Sequence, residues 1–366
     1  MPLLGLVLVL TSSCDTSPDD GSNRADAATD TDAGQADASP DASSGDANPE
    51  ADAEAGSDGG VAMDGAADGG SMPEEDASAP CEGVCLRWPV AGTRGRDWVI
   101  NNYVDLDEAR RSLRDYRGNT GREARTYDGH HGVDIDIANF RAMDRGVEVV
   151  AAVAGVVRAT IDDRADRNIA CLSNDWNVVE IEDDDGYRYL YGHLRRGSVV
   201  VRRGERVRVG QALAQVGSSG CSTAAHLHFE VRSPAGAVVD PFLDRLWRNA
   251  PSYDFPLTIM DISLRSGSYS TVDELKDPGV DLAATRTGER VGIGISAAGG
   301  LPGDIMTFQL RDPSGSVFHS WMYTLERAGR HGWWMHNVSV GDTPGAWSAV
   351  GLTVSGERAI RFDVIR

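Results

Sequence analysis

The stretch His226-Leu227-His228-Phe229-Glu230 decides how this chain is read. Apolar residues alternate there with polar ones, the period of a strand with one buried face. On such a strand His226 and His228 share one side with Glu230, while Leu227 and Phe229 enter the core. Two imidazoles then look into one cleft.

Outward from this strand, five of the eight histidines fall between residues 130 and 228, in three places. His130-His131-Gly132-Val133-Asp134 offers His130 and Asp134 at i and i+4, with Gly132 between them free to take an unusual backbone angle. Tyr191-Gly192-His193-Leu194 supplies a further imidazole. Zinc in a hydrolase takes three nitrogen or oxygen ligands and leaves a fourth position open, which His130, Asp134 and His228 would provide. Two imidazoles and a carboxylate suit zinc better than calcium or magnesium. A zinc ion so held lowers the pKa of water toward ~7 and polarises a carbonyl. The sequence has no HExxH helix and so lacks that general base. Proton handling and oxyanion stabilisation would fall to His193 and His226.

The surrounding sequence predicts a β-rich domain with tight turns. Val147 to Ile161 carries two apolar runs around Gly155, and Asn177–Glu182 and Tyr187–Tyr191 flank Asp183-Asp184-Asp185-Gly186, a hairpin signal. A short helix is expected around Asp107 to Tyr116, and the domain closes near Val239-Asp240-Pro241. Beyond Pro251, short alternating strands with Gly, Pro and Asp turns predict an immunoglobulin-like β-sandwich. Within it, Trp333 and Trp334 are read as one core and one surface residue in preference to a sugar-stacking platform. His319, His331 and His336 are read as ordinary surface or core histidines.

The first fifth of the chain belongs to neither domain. From Asp15 to Pro80 there are 18 Asp and Glu against the single base Arg24, and no aromatic residue. This composition predicts a disordered tether, with nothing to offset the entropy of ordering. The tether holds −17 of the chain's −21 charges and leaves −4 on the remainder, from 34 Arg and Lys against 38 Asp and Glu. The acidic balance therefore says nothing about a cationic substrate, and nucleic-acid binding is not supported. As a flexible chain of 66 residues the tether would span roughly 45 Å.

Met1 to Leu10 followed by Thr11-Ser12-Ser13-Cys14 resembles a bacterial lipoprotein signal, although no basic residue precedes the apolar run and Thr11 stands where Leu is usual. An ordinary cleaved signal or a misassigned start is the alternative. With Cys14 lipidated, four cysteines remain, an even number that fits an oxidising compartment. Cys81 and Cys85 are close enough for a local bridge, leaving Cys171 and Cys221 to staple two loops together. Free thiols are the other reading, and Cys221 as a metal ligand is the weaker choice beside the histidines.

Between about Thr126 and Pro241 the residues resemble the lysostaphin/LytM-type peptidoglycan endopeptidases, the duplicated hybrid motif fold. The resemblance rests on Tyr127-Asp128-Gly129-His130 with Gly132 and Asp134, on Tyr191-Gly192-His193-Leu194, on Gly217-Ser218-Ser219-Gly220 and on His226-Leu227-His228-Phe229-Glu230. It implies one zinc ion held by His130, Asp134 and His228, with His193 and His226 as the catalytic pair. His131 is read as a rim residue. Glu230 is read equally as a support for His228, a structural ion pair or an exposed carboxylate. Ala224-Ala225 departs from the Gly-containing turn usual before the HLH strand, which leaves all the ligands in place but alters the turn. Histidines without a metal are the plainer reading, disfavoured by the joint agreement of the spacings.

These readings divide the chain into residues 1–14 (signal and lipobox), 15–80 (disordered linker), 81–250 (zinc metallopeptidase domain) and 251–366 (β-sandwich). They imply a mainly β, exported, monomeric enzyme of the cell envelope that acts on peptidoglycan stem peptides. It would meet the membrane only through a lipid anchor at Cys14. A binding factor or activator of other hydrolases built on the same fold is the alternative function.

Overall fold

The computed structural model describes residues 85–366 apart from 108, 110 and 172. The expectations for the lipobox at Cys14, the tail over 15–80 and Cys81 lie outside the described residues. What is described is mainly β.

The strands before residue 250 are β1 (Val99–Asn102), β2 (Val133–Asp136), β3 (Glu148–Val150), β4 (Gly155–Ile161), β5 (Ala170–Cys171), β6 (Val178–Glu182), β7 (Arg188–Gly192), β8 (Arg206–Val207), β9 (Ala212–Gln215), β10 (Cys221–Ser222), β11 (His226–Arg232) and β12 (Val238–Val239). An antiparallel sheet runs in the order β1-β2-β11-β7-β6-β4-β8, with β12 also paired to β11. The predicted hairpin is β6 and β7. Strand β11 sits centrally, between β2 and β7, and places the histidines where backbone hydrogen bonds from both sides hold them. Its alternation is as expected: Leu227, Phe229 and Val231 are fully buried with Ile135, Ile181, Tyr189 and Tyr191. The β3–β9 ribbon adds Val149 and Leu213 to the same core.

No helix forms among the described residues of 107–116. Aspartates capture the backbone donors that a helix would need. Asp105 accepts from the amides of Asp107 and Arg114, Asp107 from that of Ala109, and Asp115 from those of Arg117, Asn119 and Arg125. Such local bonds compete with helix formation. A helix forms instead at α1 (Phe140–Arg145), where Asn139 caps the amide of Ala142 at 3.0 Å and Gly146, at φ +85°, ends it.

The remaining strands are β13 (Thr258–Ser266), β14 (Ala284–Arg286), β15 (Arg290–Ala298), β16 (Ile305–Arg311), β17 (Val317–Thr324), β18 (Gly332–Ser339), β19 (Gly345–Thr353) and β20 (Gly356–Ile365). They form a three-stranded sheet, β13-β15-β18, and a five-stranded sheet, β14-β20-β19-β16-β17. Ile262, Leu264, Ile293 and Ile295 of the first share a core with Phe308, Leu310, Trp347 and Phe362 of the second. Neither Trp333 nor Trp334 is a surface residue, contrary to expectation. Trp334 enters this core, while Trp333, on the other face of β18, donates its indole N–H to the carbonyl of Ala138 at 3.2 Å. On that face Trp333 is buried in a small cluster with Ala224, Tyr269, Val272 and Leu275.

Candidate metal and catalytic site

Strand pairing builds the site. His228 is the Cα partner of Asp134 on β2 and of Gly192 on β7, and His226 is the partner of Asp136. His130 lies just before β2. The Nε2 of His130 is 3.0 Å from Oδ1 of Asp134 and 3.2 Å from Nδ1 of His228, and that Nδ1 is 3.0 Å from the same oxygen. The three donor atoms thus form a near-equilateral triangle of buried groups that could hold a metal ion. For a tetrahedral zinc with bonds of about 2.0–2.1 Å, adjacent donors stand about 3.3 Å apart. The set fits that ion in donor type and in spacing.

The donors are themselves oriented. His130 donates Nδ1–H to the carbonyl of Tyr103 at 2.7 Å, which leaves the Nε2 lone pair facing the triangle. Tyr127 stacks on the same ring at 4.2 Å. The Nε2 of His228 lies 3.3 Å from Oε2 of Glu230, a buried carboxylate that also pairs with Arg232. Of the readings open for Glu230, the exposed carboxylate is excluded. The other oxygen of Asp134 accepts from the side-chain amide of Asn102 at 2.9 Å, so that Oδ1 alone is presented. Burial raises the Asp134 pKa, but the charges and hydrogen bonds of the neighbouring histidines outweigh it and hold the carboxyl well below its usual range. Burial lowers the His228 pKa, but in the metal-free chain the hydrogen bonds it donates to Asp134 and Glu230, with the charges of those carboxylates, outweigh it and raise the group to about 9.

Gly132 serves a different purpose from the one expected. Its φ is not in the left-handed region, and what matters is space: a Cβ there would lie 2.6 Å from two atoms of the His228 ring and 2.8 Å from the Phe229 carbonyl oxygen.

His193 and His226 stand beside the triangle, ring centroids 4.5 Å apart. Each spends Nδ1–H on a backbone carbonyl, His193 on Ser219 at 2.6 Å and His226 on Ala224 at 2.8 Å. His226 Nε2 lies 3.6 Å from Oδ1 of Asp134. Burial, reinforced by His226 and His228, pushes His193 well below the ordinary imidazole pKa, so it is neutral at physiological pH. His193 adopts φ +58°, a left-handed backbone of the kind stored at functional sites.

The cleft over these groups has a volume of about 210 Å³. Trp176 forms one wall, edge-on to His193 at 4.8 Å, and Gly192 is bare because a Cβ would meet this indole at 2.3 Å. Exposed His131 lies at the rim, as expected. The segment that carries Trp176 is held by the disulfide Cys171–Cys221, one of the expected pairings. Cys85 is also disulfide-bonded. His319 and His336 lie apart from the site, their Nε2 atoms 3.0 Å from each other. Asn102, Tyr127 and Trp176 carry no roles in the sequence reading, for none stands at a ligand spacing.

Residues 128–241 match the family model of Peptidase family M23. A protein described as lipoprotein NlpD/LppB homolog from Pseudomonas aeruginosa is 32% identical over 104 residues, 28% of this chain and 34% of that protein. The murein hydrolase activator NlpD of Escherichia coli (strain K12) is 30% identical over 89 residues, 24% of this chain and 23% of that protein. The chain thus spans only about a third or less of the length of these relatives. Among solved structures, the catalytic domain of the antimicrobial peptidase lysostaphin from Staphylococcus simulans is 27% identical, with 31% of this chain and 77% of that one covered and a TM-score of 0.24. Over residues 128–241, therefore, the chain carries a peptidase family M23 domain.

Proposed function

We propose that this chain is a zinc-dependent endopeptidase that hydrolyses peptide cross-links of bacterial peptidoglycan. One observation carries the reading: His130 Nε2, Asp134 Oδ1 and His228 Nδ1 converge to 3.0–3.2 Å of one another beside a cleft lined by His130, His193 and His228. Zinc bound to these three would supply Lewis acidity, polarising a scissile carbonyl and acidifying water. The chain's own groups do the rest. His193, neutral and with Nε2 available, takes up a proton, and His226, when protonated at Nε2 as well as at Nδ1, donates to the negative charge that develops on the carbonyl oxygen. Trp176 and Tyr127 exclude water from the cleft walls and orient the peptide.

The same reading treats residues 81–250 as the catalytic domain and 251–366 as an accessory domain. Residues 15–80 serve as a tether from a lipidated Cys14, which places a monomeric enzyme in the cell envelope.

The relatives named as murein hydrolase activators favour a second reading, in which the cleft binds a hydrolase or cell wall without cutting. Against it stands the full set of three donors with two further histidines beside them. Zinc analysis of the purified chain and digestion of defined muropeptides, with His130→Ala as control, decide between them. One zinc per chain and products absent from the control support the enzyme. A metal-free native chain, or identical digests, would leave only the activator.

A further inference from the structure

A chain of polar contacts runs into the metal triangle from the far end of the sequence. Arg330, two residues before β18, donates through Nη1 to the side-chain oxygen of Asn102 at 2.8 Å. Asn102, on β1, passes its own amide N–H to Oδ2 of Asp134 at 2.9 Å. The chemistry of the ends fixes the direction of the link. A guanidinium only donates and a carboxylate only accepts, so the amide between them has one orientation that serves both.

The second arm of the same guanidinium reaches toward the other ligand. Nη2 of Arg330 donates to the carbonyls of Ala124 and Thr126. The hydroxyl of Thr126 donates to the carbonyl of Tyr103 at 2.7 Å, and that carbonyl accepts Nδ1–H of His130. His331, the next residue, is buried with Nδ1 2.8 Å from Asp136, two positions beyond Asp134 on β2. The Arg330 hydrogen bonds all end on neutral oxygens, and burial lowers its pKa to about 10. Withdrawing a cation from water to meet only neutral partners is costly, and here the cost is spent beside two of the three donor atoms.

We propose that Arg330 is a positioning residue for the metal site, acting through Asn102 on Asp134 and through the Thr126–Tyr103 segment on His130. The β-sheet region after residue 250 is then part of the metal centre and not only an appended module. Arg330 touches neither the donors nor the cleft. It holds Asn102 in the one orientation that leaves Oδ1 of Asp134 presented, and outer partners of this kind typically set metal affinity by roughly 10- to 100-fold.

This inference rests on the zinc reading above, and the test separates the two. Zinc affinity is measured on the full chain by competition with a chromophoric chelator, alongside the circular dichroism spectrum and melting of the metal-free protein. The chains compared are the native one, Asn102→Ala, Arg330→Met and the double variant, with Arg330→Lys as a milder change. The expected result is native-like folding of metal-free Asn102→Ala with zinc binding weakened roughly 10- to 100-fold. Arg330→Met, which releases both arms, weakens it at least as much, and the double variant is little worse than Arg330→Met alone, because the Asn102 link is already released there. Cobalt substituted for zinc should show altered visible absorption in both singles. If Arg330→Met does not fold, Arg330→Lys, whose ammonium cannot span the same three oxygens, carries the comparison. Native zinc affinity in a folded Arg330 variant, or losses that multiply in the double variant, would overturn the proposal. Failure of the native chain to bind zinc would instead overturn the zinc reading.

Discussion

His228 faces Asp134 directly across the β2–β11 ladder, and its Nδ1 stands 3.0 Å from the carboxylate Oδ1. Cross-strand partners on one face of a sheet are held together by the ladder itself. Two of the three donors therefore meet through backbone pairing, and His130 completes the triangle from the loop before β2. Loss of an outer partner costs roughly 10- to 100-fold in metal affinity, so loss of a donor should cost at least about a hundredfold. On the proposed function, His228→Ala and Asp134→Ala should each purify with almost no zinc, and the proposed peptidase activity should fall with it. Zinc retained at one ion per chain in either variant would rule the triangle out as the binding site.

Gly132→Ala tests the same geometry through space instead of donors. The added methyl would lie 2.6 Å from Cε1 and Nε2 of His228 and 2.8 Å from the Phe229 oxygen, which is backbone and yields little. The ring of His228 is the part able to move, and moving it takes Nδ1 out of the triangle. The variant should fold and bind zinc at least about tenfold more weakly, within the range for disturbed ligand orientation. Unchanged affinity in a chelator competition would mean that the ring yields without leaving its place.

The disulfide Cys171–Cys221 joins residues 50 apart and encloses both Trp176 and His193. In the chain-entropy account, closing a loop of that length restricts the unfolded state by roughly 4 kcal/mol, and measured values commonly fall at 2–4 kcal/mol. The double variant Cys171→Ser/Cys221→Ser should lose about that much stability, and melting should drop by roughly 5–10 °C. Thermal unfolding under non-reducing conditions reads it. A melting point equal to that of the native chain would show that the segment is held by its other contacts.

How much of this could be read from the sequence follows from the range of each signal. The alternation of His226 to Glu230 is local, and so is the Asp183–Gly186 turn; both appear in the structure as β11 and the β6–β7 hairpin. The meeting of His130, Asp134 and His228 was legible because a known pattern of spacings joins distant segments. Nothing comparable marks Asn102, Arg330 or His331. Arg330 is separated from Asn102 by 228 positions and His331 from Asp136 by 195, and each looks like an ordinary polar residue until the two regions pack. The surface reading of one tryptophan failed for the same reason, since Trp333 is buried among Ala224, Tyr269, Val272 and Leu275 and its indole N–H meets the carbonyl of Ala138, 195 positions away. The helix expected over 107–116 failed for a local reason: three aspartates bind the backbone more effectively than the next turn of helix would.

Asp240 gives a pH dependence whose sign can be worked out. Its Oδ1 accepts from the amides of Phe242 and Leu243, while its Oδ2 is buried with no hydrogen-bond partner. Burial dominates, and it raises the pKa from 3.8 to about 6, against the pull of those two amides. Between these values the folded chain keeps a proton that the unfolded chain has released. The group's contribution to stability is therefore fully present below pH ~4 and is lost as pH rises through ~6. At 1.36 kcal/mol per unit, the loss amounts to roughly 2–3 kcal/mol. Asp240→Asn removes the titration while keeping an oxygen for the two amides. Urea unfolding of both chains at pH 3.5 and pH 7 should show the free-energy difference moving in favour of the variant by that amount across the interval. A difference that stays constant with pH would mean that the Asp240 carboxyl titrates in the fold as it does in the unfolded chain.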